Sequence, residues 1–74
     1  MRVLVTGAAG RVGSAVVPEL AAHGHTVCAL DNRPIAPEAR REGVAVLYAD
    51  ITDALAMLNA CAGFDAVVHA AAYP

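Results

Sequence analysis

Residues 6–13, Thr6-Gly7-Ala8-Ala9-Gly10-Arg11-Val12-Gly13, decide how this sequence folds. A short apolar run, residues 3–5, precedes them, and a segment with helical periodicity follows. In the first turn of a helix the backbone N–H groups have no partner within the helix, and the helix dipole adds positive charge there. A strand that turns through glycines into a helix therefore predicts a phosphate-binding loop.

Three glycines in this stretch each have a steric task. Gly7 allows the strand to turn sharply, Gly10 allows a pyrophosphate to approach the backbone, and Gly13 allows the helix to pack closely on the first strand. The spacing G-x-x-G-x-x-G is one residue longer in its first gap than the general dinucleotide fingerprint. The alternative is a loop rich in glycine and alanine without a ligand. The preceding strand, the following helix and an acid downstream favour the binding loop.

The rest of the chain alternates strands with helices. Strands are predicted at residues 2–6, 26–30, 44–48 and 66–70, and helices at residues 11–23, 37–42 and 53–62. Such alternation indicates parallel strands joined by right-handed crossovers. We therefore expect an α/β fold, a Rossmann-type doubly wound parallel sheet that is partial, with about four strands in the order 3-2-1-4 and flanking helices.

The first predicted helix carries an apolar stripe with three- and four-residue spacing. The stripe consists of Val12, Gly13, Val16, Val17, Leu20 and Ala21. Pro18 lies inside this helix, on the face away from the stripe, and removes one helical hydrogen bond. Gly24 is expected to end the helix as a left-handed cap.

Three later stretches, together with the N-terminal T-G-x-x-G-x-x-G, resemble the extended short-chain dehydrogenase/reductase superfamily, the NAD-dependent epimerase/dehydratase group. They are Asp31-Asn32-Arg33, the D-I-T-D of residues 50–53 and the V-V-H-A-A-A of residues 67–72. The resemblance covers essentially the whole chain but only the first part of such an enzyme. It implies that residues 1–74 form the N-terminal part of a Rossmann NAD(P)-binding domain.

Asp31 is the candidate for holding the adenosine ribose of a dinucleotide. It follows Gly13 by 18 residues, close to the spacing of about 20 expected for that acid. A carboxylate accepts hydrogen bonds from the 2′- and 3′-hydroxyls and repels a 2′-phosphate, so Asp31 favours NAD over NADP. Arg33 acts in the opposite sense if its guanidinium pairs with a 2′-phosphate, and otherwise it faces solvent.

Further site residues come from the resemblance. It implies that Asp50 bonds the adenine amino group and that Ile51 packs on the ring, whereas Asp50 alternatively belongs only to the turn before the next helix. Small residues after the fourth strand would let the backbone pass close to the cofactor, and Arg11 either reaches the pyrophosphate or is simply exposed. The predicted cofactor-binding residues are Gly7, Ala9, Gly10, Arg11, Val12, Gly13, Asp31, Asn32, Arg33, Asp50, Ile51, Ala70, Ala71 and Ala72.

The catalytic residues of the family are not found in this chain. The family uses a Ser or Thr and a Tyr followed four residues later by Lys, which lowers the pKa of the tyrosine. The sequence has no lysine, Ser14 lies in the first helix, and Tyr73 is followed only by Pro74. We therefore assign no catalytic residue here.

The composition of the chain excludes some classes of binding partner. With 58% hydrophobic and 16% charged residues and a net charge of −2, the chain has no basic patch for nucleic acid and no run long enough to span a membrane. We expect a cytoplasmic protein whose cysteines, Cys28 and Cys61, are buried free thiols and which binds no metal. An apolar composition and an open fourth strand suggest that the chain needs the remainder of its domain, or a second copy, as a partner.

Three functions follow from these observations. The first is the N-terminal portion of an NAD-dependent epimerase, dehydratase or oxidoreductase, which transfers a hydride on a hydroxyl or carbonyl substrate such as a nucleotide sugar. The second is a non-enzymatic dinucleotide sensor that resembles the NmrA-like regulators. The third is a truncated product with no activity. A Tyr-x-x-x-Lys downstream would favour the enzyme, and a long chain without one would favour the sensor.

Overall fold

The computed structural model describes residues 1–35, 43–50, 52–53, 59 and 62–70. Within them the strands are β1 (Arg2–Thr6), β2 (Thr26–Asp31), β3 (Val44–Tyr48) and β4 (Ala66–His69), and helix α1 spans Arg11–Ala22. The predicted helix at residues 37–42 lies outside the described residues, as do Cys61 and most of the predicted helix at residues 53–62. No helix in the described part is both long and apolar enough to cross a membrane.

The four strands form one parallel sheet in the order β3-β2-β1-β4. This confirms the predicted fold class and strand order. In the register of the sheet, Thr6 lies between Leu30 of β2 and His69 of β4, and Asp31 lies beside Tyr48 of β3. The carboxyl ends of all four strands therefore meet at one edge, where open α/β sheets bind their ligands.

The two central strands are buried on both faces, because their apolar residues alternate between two clusters. One cluster includes Val5 and Ala29 and is packed against α1 through Val17. The other contains Leu4 and Leu30, with the half-buried Cys28 and Phe64 against them. Double burial explains why β1 is a continuous apolar run rather than an alternating one.

Helix α1 differs from the prediction in one respect that bears on the site. Val12 was placed in the apolar stripe, but its side chain is 62% exposed. The stripe begins one residue later, with Gly13 and Val17 buried. Val12 is turned to solvent because it stands in the first turn, beyond the end of the sheet that the rest of the stripe covers. Pro18, expected on the outer face, is half-buried.

The ends of three elements differ from the predictions by one residue. Helix α1 ends at Ala22, with His23 as its C-cap, and Gly24 follows with a φ of 85°. Strand β2 continues to Asp31, and β4 ends at His69 rather than Ala70. The extension of β2 places the carboxylate of Asp31 within the sheet edge instead of on a free loop. Cys28, expected to be buried, is half-buried, and that burial raises the pKa of its thiol.

Candidate dinucleotide-binding site

The loop between β1 and α1 begins with a turn that only glycine adopts easily. Gly7 has a φ of 70°, in the left-handed region where a side chain is strained. The N–H of Gly10 donates to the carbonyl oxygen of Gly7 at 3.0 Å and closes the turn. The N–H of Ala8 donates to the carbonyl oxygen of Leu30 at 3.1 Å, so the loop is also attached to the end of β2.

Gly13 allows the helix to approach this loop. A Cβ at Gly13 would lie closer than 3.0 Å to the carbonyl of Gly7 and the Cα of Ala8. The close contact is therefore with the loop that follows β1, whereas the sequence predicted it with the strand itself. A Cβ at Gly10 would lie 3.2 Å from the carbonyl oxygen of Gly7 and 3.4 Å from Nη2 of Arg33. Glycine at these two positions therefore allows the loop to fold tightly and leaves its backbone accessible to a ligand.

The amino end of α1 leaves backbone donors available. Gly10 is the N-cap and supplies no side-chain hydrogen bond, and the first turn holds no acidic residue. The first N–H to find a partner within the helix belongs to Ser14, which donates to the carbonyl oxygen of Gly10 at 2.9 Å. The preceding N–H groups of Arg11, Val12 and Gly13 fall in the turn that helix geometry leaves unpaired. An anion fits there because the N–H donors and the amino end of the helix dipole both present partial positive charge.

Asp31 brings the end of β2 to this loop. The residue is only 4% exposed, and Oδ2 of its carboxylate accepts a hydrogen bond from the backbone N–H of Ala9 at 2.9 Å. Oδ1 accepts from the backbone N–H of Arg33 at 3.0 Å. The side chain of Arg33 adds two more bonds, from Nε to Oδ1 at 3.2 Å and from Nη2 to Oδ2 at 3.2 Å.

The charge of Asp31 is stabilised by these donors. Burial by itself raises the pKa of the Asp31 carboxyl, but the hydrogen bonds from Arg33 and from the N–H of Ala9 outweigh it, and the pKa lies below its ordinary value. The same ion pair raises the pKa of Arg33. Asp31 is therefore a carboxylate at neutral pH, as an acceptor for ribose hydroxyls must be.

Strand β4 completes the edge on the other side of β1. The buried hydroxyl Oγ1 of Thr6 lies 2.7 Å from Nδ1 of His69, and the N–H of Ala70 donates to the carbonyl oxygen of Thr6 at 3.0 Å. Ala70 is half-buried beside the loop. The predicted site residues Ala71 and Ala72 lie outside the described part of the chain.

Asp50 is placed at the same edge but is already used in a turn. The N–H of Ala49 donates to the backbone oxygen of Asp31 at 3.2 Å, which holds this segment beside β2. Oδ1 of Asp50 accepts from the N–H of Thr52 at 2.9 Å. That bond and a side-chain bond with Thr52 lower the pKa of Asp50. The contacts agree with the turn alternative, and Ile51 lies outside the described residues.

Half of the fourteen predicted residues take part in the hydrogen bonds described above: Gly7, Ala9, Gly10, Asp31, Arg33, Asp50 and Ala70. The exposed Arg11, Val12 and Asn32 border the site without such a bond to it in the described region. Three contacts at this edge were not predicted from the sequence: the Asp31–Ala9 bond, the hydrogen bonds of the Arg33 side chain to Asp31 and the Thr6–His69 bond. Of these, the contact between Arg33 and Asp31 had a signal in the sequence, because residues two apart lie on the same side of an extended chain. In the described residues no three His, Cys, Asp or Glu side chains are grouped as metal ligands.

Known proteins share this arrangement. The chain is 44% identical over 69 residues to 2-alkyl-3-oxoalkanoate reductase of Stenotrophomonas maltophilia, covering 93% of this chain and 21% of the reductase. It is 38% identical over 73 residues to UDP-glucose 4-epimerase of Corynebacterium glutamicum, covering 97% of this chain and 22% of the epimerase. The crystal structure of the Bordetella bronchiseptica enzyme WbmG in complex with NAD and UDP superposes with a TM-score of 0.83 at 33% identity. All of this chain and 26% of the WbmG chain are covered. The chain therefore spans between a fifth and about a quarter of the length of these proteins.

The sequence profile of the NAD dependent epimerase/dehydratase family matches residues 3–74. That span includes the glycine-rich loop, Asp31, β2, β3 and β4, and all of β1 except Arg2. Together with the relatives above, the match shows that the chain belongs to the NAD-dependent epimerase/dehydratase family of extended short-chain dehydrogenases/reductases, whose cofactor is NAD.

Proposed function

We propose that this chain binds NAD at the carboxyl edge of β1 and β2. The unpaired N–H groups at the amino end of α1 hold the pyrophosphate, and Asp31 accepts hydrogen bonds from the adenosine ribose. The exposed side chain of Val12 borders the loop and offers an apolar contact. Asp50 and Ala70 flank the site on its two sides, toward β3 and β4.

One observation carries the proposal: the carboxylate of Asp31 is bonded to the N–H of Ala9 inside the glycine-rich loop. This bond fixes a ribose acceptor and a pyrophosphate cradle to each other. The residues fit the cofactor in two further ways. A Cβ at Gly13 would displace the loop, and the first turn of α1 carries no acidic side chain that would repel a phosphate.

We propose further that the protein uses NAD to move a hydride to or from a hydroxyl or carbonyl carbon of its substrate, as an oxidoreductase, epimerase or dehydratase. When bound, the nicotinamide supplies the hydride chemistry, and this chain binds and orients the dinucleotide. A nucleotide sugar is the substrate class we favour, because UDP-glucose and UDP appear in the names of two of the proteins above. We also propose a cytoplasmic location.

A dinucleotide sensor is the second candidate. It would use the same loop and the same acid. Residues 1–74 hold the glycine-rich loop and the acid but not the Tyr-x-x-x-Lys pair of the family, so the two candidates share every residue of the proposed site. A sensor binds NAD but does not oxidise or reduce a substrate.

The first experiment measures the intact mass of the protein in its source cells and then its affinity for NAD by titration calorimetry. A mass several times that of 74 residues, with Tyr-x-x-x-Lys downstream, supports the enzyme, and a long chain without that pair supports the sensor. In either case we expect NAD to bind. Failure to bind NAD overturns both.

Gly13→Ala tests the site itself. Its Cβ would force the loop away from the helix, so we expect NAD affinity to fall at least about ten-fold. Gly24→Ala is the matched control. Gly24 also has a positive φ, but nothing lies within 4 Å of a Cβ there, and it stands at the opposite end of α1. Equal losses of affinity in both variants would show that the loop has no special role.

A further inference from the structure

The pairing of β1 with β4 is apolar except at its last position. The first three pairs of the register join apolar residues, and the fourth joins Thr6 to His69 at the carboxyl edge. Thr6 is fully buried, and its Oγ1 lies 2.7 Å from Nδ1 of His69. Positions buried so completely are usually apolar. An apolar pair would satisfy burial equally well, so what this polar pair adds is a directional bond between the two strands.

The hydrogen of this bond comes from Thr6. In the part of the chain that the structure describes, the imidazole is the one partner of the Thr6 hydroxyl. If Nδ1 carried a hydrogen and donated it, the buried hydroxyl would keep its own hydrogen without an acceptor, which is costly. The hydroxyl therefore donates to Nδ1, and in the neutral ring the hydrogen lies on Nε2. The buried threonine thus selects one tautomer of His69.

The glycine-rich loop starts from this same threonine. Gly7 follows it directly, with the φ of 70° that turns the chain, and the carbonyl oxygen of Gly7 accepts from the N–H of Gly10. The carbonyl oxygen of Thr6 accepts from the N–H of Ala70 at 3.0 Å. Thr6 is therefore attached to the end of β4 by its backbone and by its side chain. The side-chain bond restricts the residue at which the loop leaves β1.

We propose that His69 is a positioning residue for NAD: through Thr6 it holds the start of the glycine-rich loop in the geometry that receives the pyrophosphate. The proposal rests on the proposed function, namely that this loop binds NAD. β2 and β4 lie on opposite sides of β1. The loop is accordingly attached on both sides, to β2 through the N–H of Ala8 and to β4 through His69. His69 acts through Thr6 and not by contact with the dinucleotide.

The test removes each half of the bond and measures the affinity of the natural protein and its variants for NAD by titration calorimetry. His69→Leu removes the acceptor and should weaken NAD binding about two- to ten-fold, the effect of one hydrogen bond. Thr6→Val removes the donor and should weaken binding as much. The double variant should lose no more than either single variant, because both substitutions remove the same bond.

His69→Asn is the rescuing variant. Its amide oxygen occupies the position of Nδ1 and accepts the same hydrogen, so its NAD affinity should lie within about two-fold of the natural value. His23→Leu is the matched control. His23 is the exposed C-cap of α1, and its Nδ1 lies 2.9 Å from the backbone oxygen of Glu19, at the end of the helix away from the loop. NAD affinity should not change in that variant.

A measurement on the natural protein avoids any dependence on the folding of a variant. Long-range ¹H–¹⁵N correlation spectra, recorded at about pH 8 where histidines are ordinarily neutral, show which ring nitrogen carries the hydrogen. We expect Nδ1 of His69 to carry none, both before and after saturation with NAD. A hydrogen on Nδ1 would mean that the bond has the opposite direction and would overturn the proposal.

Urea denaturation of each variant separates positioning from stability alone. Weaker NAD binding in folded His69→Leu and Thr6→Val, restored in His69→Asn, supports the proposal. Lower stability with unchanged NAD affinity, or an equal loss of affinity in His69→Asn and His69→Leu, would overturn it while the proposed function stands. If the natural protein does not bind NAD, the proposed function fails and this inference fails with it.

Discussion

The two central strands and the two outer strands of the sheet have similar sequences but different surroundings. In β1 every residue after Arg2 is buried, and in β2 four of six are buried. In β3 and β4 no residue is buried, although both are as apolar as β1. Leu47 is 39% exposed and Val67 is 47% exposed. Position in the sheet, and not composition, decides which apolar residues form the core.

This difference in burial determines which parts of the candidate site have a fixed backbone. Asp31 and the loop that begins at Gly7 both continue from central strands, and a hydrogen bond joins them directly. Among the described residues at the outer strands, Asp50 after β3 is exposed and accepts from Thr52 in an exposed bond, and His69 at the end of β4 is exposed as well. A ligand held by the central strands therefore meets donors and acceptors whose backbone is fixed by burial.

The largest expected effect separates the central strands from the outer ones. Leu4→Ala removes a side chain with no exposure from β1, and Leu47→Ala removes one of the same chemistry from β3, on the same face of the sheet. We expect Leu4→Ala to lower the free energy of unfolding by about 2–5 kcal/mol, because a cavity is left behind. The loss in Leu47→Ala should be much smaller. Urea denaturation of the natural protein and of the two variants measures both losses.

Equal losses in the two leucine variants would contradict the comparison. They would mean that Leu47 is covered in solution as fully as Leu4. The slope of the unfolding free energy against urea concentration reports the surface exposed on unfolding. Equal changes of this slope in the two variants would point to the same conclusion.

The sequence was sufficient to predict the strand order, because each apolar run had a glycine or proline beside it and alternation with helices leaves few topologies. That order names β3 and β4 as the outer strands, but the apolar pattern of each strand taken by itself does not distinguish a central from an outer strand. Val67 and Val68 form an apolar run like that of β1, yet one strand has two neighbours and the other has one described neighbour. Which strand is covered depends on pairing across the sheet, and a residue's own neighbours in sequence do not contain that information.

The site was predicted in part for a similar reason. Asp31 was proposed from its distance to Gly13, a local regularity of the fold, and the structure places it beside the glycine-rich loop. The exposure of Val12 was missed, because helical periodicity gives the direction of a side chain but not the point at which the sheet beneath it ends. The full use of the Asp31 carboxylate was also missed, because one of its donors comes from the loop 22 residues earlier.

The next largest effect concerns two carboxylates that accept from backbone N–H groups. Asp31 accepts from Ala9 in a partly buried setting, and Asp65 accepts from Arg2 at the exposed amino end of β1, at 2.7 Å. Asp31→Ala should lower the free energy of unfolding by about 1–3 kcal/mol, because the N–H of Ala9 is left without its acceptor. Asp65→Ala should cost less, since water replaces the carboxylate. A larger loss in Asp65→Ala, by urea denaturation, would reverse this ranking.

Lowering the pH should reveal the contribution of the Asp31 carboxylate to stability. The pKa of Asp31 lies below its ordinary value in the folded protein, so the unfolded chain binds the proton more readily. The stabilisation by Asp31 is therefore complete above the ordinary pKa of about 3.9 and is lost as the pH falls from there through the folded pKa. Urea denaturation at a series of acidic pH values should show this decline, and Asp31→Asn should reduce it.

Asp50 contributes in the same direction, because bonds with Thr52 lower its pKa as well. Asp50→Asn separates the two contributions to the acid dependence. If the slope of stability against pH is unchanged in Asp31→Asn and disappears in Asp50→Asn, the exposed turn and not the buried carboxylate controls the acid response.

The smallest effect concerns the bond between β1 and β4. Thr6→Val keeps the shape of a buried side chain but removes the hydroxyl that lies 2.7 Å from Nδ1 of His69. His69 is exposed, so water can replace the lost partner, and we expect a loss of only about 0.5–1.5 kcal/mol in the free energy of unfolding. Thr26→Val is the matched control, because Thr26 is an exposed residue at the start of β2. If the two variants are equally stable in urea, the Thr6–His69 bond does not stabilise the pairing of β4 with β1, and the outer strand adds no side-chain bond to the edge where we propose that the dinucleotide binds.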